Sequence, residues 1–183
     1  MMSPEWLTAI GTLGTFVVIA ASAVAALMQL RHMGRGNQIA AFDELRGTME
    51  SADFRKALDF VRNDLAGRLE DPATAKELRE HGLRGDFEQV RFVANIFEDM
   101  GLFVRSGLID RETTCQLWAS IAAWSWDKCS PVTALLRQST DPAVWINFEY
   151  IAAISKDYME SGAGSEYPAD ARRLPLDESL LRE

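Results

Sequence analysis

From Trp6 to Leu30 the chain reads WLTAIGTLGTFVVIAASAVAALMQL, without one charged residue. No other stretch restricts the fold as strongly. Residues 6–28 are 23 consecutive apolar or small positions. At about 1.5 Å rise per residue they make a helix of about 34 Å, against a hydrocarbon core of about 30 Å. Backbone amides in lipid find no water, so a lone span must be helical. The indole of Trp6 suits the headgroup layer at the outer edge. Two alternatives are weaker. A core helix of a soluble domain would normally show a polar face, and this run has none. A cleaved signal peptide would carry a basic leader and a shorter apolar core, whereas Met1-Met2-Ser3-Pro4-Glu5 holds an acid and no base.

The flanks orient the span. Glu5 precedes it; Arg31, His32 and Arg35 come after it. Positive residues stay inside, so the expected topology is single-pass at the plasma (inner) membrane, N-terminus out and the rest cytoplasmic. The lipid bilayer is then the first expected partner. Along one face of the span, Thr8, Gly11, Thr15, Val18, Ser22 and Ala25 alternate at spacings of three and four. Small residues in such a row let helices approach closely, which predicts a homo-oligomer through the transmembrane helix. Spans are also rich in Ala and Gly generally, so composition alone can supply such a row.

Length and charge bound the rest of the chain. In 183 residues the natural count is one modest domain plus the anchor. All 19 basic residues lie at or after Arg31, with 26 of the 27 acidic ones, so that part carries a net charge near −7. That balance argues against nucleic acid as a partner. Cys115 and Cys129 fall 14 residues apart in one expected helix. That separation is about 21 Å, beyond disulfide reach, and two free thiols fit a reducing compartment.

Helical periodicity continues to about residue 160. Gly34 and Gly36 mark a possible kink just below the membrane. Ile39, Ala41, Phe42, Leu45 and Met49 then form an apolar stripe. Ser51 or Asp53 can cap a helix with Phe54, Ala57, Leu58, Val61, Leu65 and Leu69 on one face. Asp71-Pro72 starts a short helix closed by Gly82 and Gly85. A regular helix spans Asp86 to Arg105, stopped by Gly107. Asp110 caps the next, whose large apolar residues are Leu117, Trp118, Ile121, Trp124 and Trp126. Ser130-Pro131 is expected to break it. Asp141-Pro142 opens the last long helix, carrying Val144, Trp145, Phe148, Ile151, Ile154 and Tyr158. From Ser161 onward there is little to bury, which predicts a flexible tail. The expected fold is therefore all-α: one N-terminal transmembrane helix followed by a cytoplasmic antiparallel helical bundle. Its divisions are residues 1–5 outside, 6–30 in the membrane, 31–52 a helical connector, 53–160 the bundle and 161–183 the tail.

Chemistry is sparse. His32 and His81 have no metal-ligand partners at typical spacing, and Glu77–His81 is one isolated pair. The di-iron Glu-x-x-His pair, phosphate-binding and dinucleotide glycine loops, Gly-x-Ser-x-Gly and the Arg-x4–6-His pattern of helical RNA-cleaving toxins are all absent. No catalytic residue, cofactor or metal site is expected. The tryptophans fit core packing better than a ligand pocket. Arg91, Asn95 and Glu98 lie on the less apolar side of the regular helix and are candidates for a polar network with Arg55 or Arg62. The plainer reading of that side is a solvated face with local ion pairs.

Three runs, WLTAIGTLGTFVVIAASAVAALMQLRHMGRGNQIAAF, VANIFEDMGLFVRSGLIDRETTCQLW and VWINFEYIAAIS, resemble a family of bacterial membrane-anchored proteins whose shared domain is of unknown function. The similarity covers about Trp6 to Tyr158. It implies a single N-terminal span and a cytosolic helical domain, and brings no catalytic residues. Two functions stay open. One is a membrane-anchored interaction or scaffold module with a cytoplasmic protein partner, of unknown molecular activity. The other is a membrane-tethered small-ligand sensor or enzyme with a site between helices, near Asn95, Glu98 and Trp118.

Overall fold

The computed structural model describes residues 4–164, 167 and 169–175, with side chains described at 11–29 and from 38 onward within that range. Among the described residues every regular element is helical. Among the described residues seven α-helices occur in order: α1 Pro4–Met49, α2 Ala52–Asn63, α3 Leu65–Leu69, α4 Pro72–His81, α5 Glu88–Arg105, α6 Arg111–Ser139 and α7 Ile146–Glu160. A 3-10 turn, Gly85–Phe87, leads into α5. The chain divides into two compact units, Met1–Glu50 and Ser51–Glu183.

Helix α1 contains the apolar run. Its window Gly11–Gln29 has a mean hydropathy of 2.0, and none of it is buried. The helix continues through Gly34 and Gly36 without interruption. Of the stripe expected beyond them, Ile39 is not part: it is 64% exposed.

Local capping sets several boundaries of the second unit. Ser51 Oγ accepts the amide of Phe54 at 3.1 Å and starts α2. Asp71 Oδ1 accepts from Ala73 at 2.9 Å, with Pro72 at the first turn of α4. Asp110 Oδ2 accepts from the amide and the hydroxyl of Thr113, both at 2.8 Å. These bonds hold the Asp110 carboxyl below its ordinary range. Gly107, at φ 72°, ends α5 in the left-handed region, which glycine enters without a Cβ penalty.

Three expectations are corrected. The helix expected from 54 to 69 is interrupted at Asp64, where two poor helix formers, Asn63 and Asp64, fall together. Helix α6 does not break at Ser130-Pro131 but runs 29 residues through it. Pro131 deprives the Asp127 carbonyl of its usual partner, and the Ser130 hydroxyl donates to that carbonyl at 3.3 Å instead. The last helix begins at Ile146, later than Asp141-Pro142 suggests, because a turn over 142–145 comes first.

The core of this unit is aromatic at its centre. Phe97 and Phe148 stack with centroids 5.1 Å apart, and Phe54 meets Phe97 edge-on at 6.3 Å. Trp126 stands edge-on to Phe148 at 5.2 Å. The buried face of α6 carries no aromatic residue and is small over its first half: Thr114, Cys115, Ala119, Ala122, Ala123, Ser125 and Cys129, followed by Val132, Thr133 and Leu136. Leu117, one of the large apolar residues of α6, is 59% exposed, and the tryptophans Trp118, Trp124 and Trp126 are half-buried. Small side chains let neighbouring helices seat closely. Gly101 makes the closest approach, since a Cβ there would lie 2.0 Å from the Asn147 carbonyl oxygen of α7.

Candidate functional site

The densest polar arrangement joins α5 and α6 to the start of α7. Helix α7 has no cap of its own. Trp145 occupies the capping position with φ 52° and ψ 41°, and its side chain caps nothing. For a bulky residue this left-handed geometry is strained, so neighbouring groups must hold it. Glu98 does most of that. Its Oε2 accepts the amides of Asn147 at 2.9 Å and Phe148 at 2.8 Å, and its Oε1 accepts from Asn147 Nδ2 at 2.7 Å. A carboxylate from α5 thus satisfies two first-turn amides of α7 and meets the positive end of the helix dipole.

Three further side chains complete the latch. Asn95 Oδ1 accepts the indole N–H of Trp145 at 3.0 Å. Arg105 donates to Asn147 Oδ1 at 2.5 Å, so Asn147 is gripped from both ends. Arg137 of α6 donates to the carbonyls of Val144 at 2.9 Å and Trp145 at 3.4 Å, and pairs with Glu149 at 2.7 Å. Its guanidinium also stands 5.8 Å over the Trp126 ring.

Of the three residues singled out from the sequence, the structure brings Asn95 and Glu98 together on α7. Arg91 stays apart, paired with Glu88 on an exposed surface. Neither Arg55 nor Arg62 joins the latch: Arg62 lies 3.7 Å from Asp59 and 5.2 Å over the Trp124 ring. The partners of Asn95 and Glu98, Trp145 and Asn147, were not legible because they lie 50 and 49 residues away, and Arg137 reaches forward to Val144, Trp145 and Glu149 across a turn that the sequence does not define. The one local signal was Glu98, an acid next to the apolar positions of an otherwise regular face.

The side-chain oxygens of Asn95 and Glu98 are engaged in holding the start of α7. Among the described residues no group of three or more His, Cys, Asp or Glu side chains is placed to hold a metal ion. Both cysteines are free and buried. Burial pushes the Cys129 thiol up to about 12, and raises Cys115 as well. Such thiols are poor nucleophiles at neutral pH.

On α1, Gly11, Thr15, Val18, Ser22 and Ala25 are all exposed, and Thr8 lies outside the described side chains. Thr15 donates its hydroxyl to the Gly11 carbonyl at 2.9 Å, satisfying the hydroxyl within the helix. Of the tail, residues 165, 166, 168 and 176–183 lie outside the described residues. In the remainder, Tyr167 donates to the Arg172 carbonyl at 3.1 Å.

The family model of DUF4760, a domain of unknown function, aligns with residues 16–155. That range begins inside the apolar window of α1 and ends within α7. No curated protein and no solved structure matches the chain.

Proposed function

We propose that this chain, which belongs to the DUF4760 family, is a single-pass membrane protein that presents a helical interaction or scaffold domain to the cytoplasm. The observation that carries this reading is the Gly11–Gln29 window, apolar along its length and wholly unburied. Exposing so much apolar surface to water would be costly, at about 25 cal/mol per Å². A bilayer removes that cost. The basic flank at Arg31, His32 and Arg35, against Glu5 on the other side, supports a cytoplasmic bundle. The matched range supports treating anchor and bundle as one unit, because it includes the second half of the span.

In this reading neighbouring bundle helices run antiparallel, and the row from Thr8 to Ala25 pairs spans of two copies. The bundle takes a cytoplasmic protein partner. Its filled aromatic centre, and the use of Asn95 and Glu98 as helix-holding groups, support a binding surface over a buried reaction site.

The test is proximity labelling from an enzyme fused to the C-terminus of the full chain. Labelling of cytoplasmic proteins, with one protein enriched far above the rest, is the expected result. Labelling of proteins in the outer compartment would reverse the topology, and uniform background labelling would remove the partner.

A further inference from the structure

A groove of about 270 Å³ lies between α6 and the end of α7. Its apolar surfaces are Leu117, Ala119, Met159 and the ring of Tyr158. Gly164 closes one end, packed so near that a Cβ there would lie 2.8 Å from Tyr158 Cε1. A larger residue would push the backbone off the ring.

The polar groups of the groove have spare hydrogen-bonding capacity. Among the described residues, the hydroxyls of Ser120 and Tyr158 have no partner. Gln116 donates to Glu112 at 3.5 Å, which leaves its carboxamide oxygen able to accept.

None of the lining side chains is charged. A charged ligand would meet no counter-charge among them. A thioether and a phenol ring favour a flat apolar body. The volume falls near the lower limit of small-molecule sites, about 300–1,000 Å³, and suits roughly a two-ring molecule. We infer that this groove binds a small uncharged molecule, its apolar body against Met159 and Tyr158 and its polar group bonded to Ser120 or Gln116. The inference stands apart from the anchor and scaffold reading, since it uses only α6, α7 and the residues just after them.

The test uses the full chain in lipid nanodiscs with labelled methionine methyls. Indole is the neutral probe; indole-3-acetate and tryptamine are its anionic and cationic counterparts. Indole should shift the Met159 methyl saturably, with a Kd on the order of 1 mM. The charged probes should bind about tenfold more weakly. The buried Met100 methyl should not move with any of them. Ser120 is exposed, so Ser120→Asp adds a carboxylate to the groove without disturbing the core. In that variant tryptamine should bind at least as well as indole, with Met100 unchanged as the report of an intact fold. Comparison in the same nanodiscs separates binding from partitioning into lipid. An unmoved Met159 signal, equal responses to all three probes, or an unchanged preference in Ser120→Asp would overturn the inference.

Discussion

Glu98 gives both carboxylate oxygens to α7, and the first turn of that helix has no other cap. Replacing it by Gln turns one acceptor into a donor and removes the charge facing the helix dipole. We expect Glu98→Gln to destabilise by about 1–2 kcal/mol and Glu98→Ala by about 2–3 kcal/mol, read by thermal unfolding of the full chain in detergent. Unchanged melting in both would mean that α7 is held by its apolar face alone. Cys129 allows a pH prediction. Its thiol is raised from an ordinary value near 9.0 to about 12 in the fold. A raised thiol contributes stability that is complete below pH 9 and is lost as pH rises through about 12. Denaturant midpoints of the parent should therefore fall over pH 9–12 more steeply than those of Cys129→Ala. Equal slopes would contradict the burial assigned to this thiol.

At the scale of elements, the features legible in the sequence were the local ones. Ser51, Asp71 and Asp110 cap within three residues of themselves, so position and residue type sufficed. Gly107 and Gly82 end helices by their own backbone freedom. Long-range arrangements were not legible. The latch on α7 depends on pairs such as Asn95–Trp145 and Glu98–Asn147, which nothing in either segment announces alone. The buried face of α6 was misread for a related reason. Large apolar residues suggest a core face, but α6 up to Cys129 packs through a threonine, alanines, a serine and cysteines, with Val132 and Leu136 buried only beyond it, and its indoles are half-buried. Pro131 misled because the repair, a Ser130 hydroxyl on the Asp127 carbonyl, lies in side-chain geometry. Pro131 itself is exposed, so Pro131→Ala opens no cavity and restores an amide donor toward Asp127. That variant should gain about 1–3 kcal/mol in denaturant unfolding. Loss of stability would show that the proline shapes α6 in a way the helix requires.

For the whole molecule, the organising feature is a helix that begins in an apolar window and continues to Met49 with no break at its glycines. The two compact units, and a family range that includes residues of both, fit the anchor and domain proposed above. The central claim is that this anchor stays in the mature protein and in the bilayer. The most direct measurement is intact mass spectrometry of the chain recovered from membranes after an alkaline carbonate wash. The account predicts the full-length mass in the washed membrane pellet, and release to the supernatant of a variant lacking residues 6–30. A species shortened at its N-terminus and found in the soluble fraction would contradict it, and would mark the apolar run as a leader that the protein sheds.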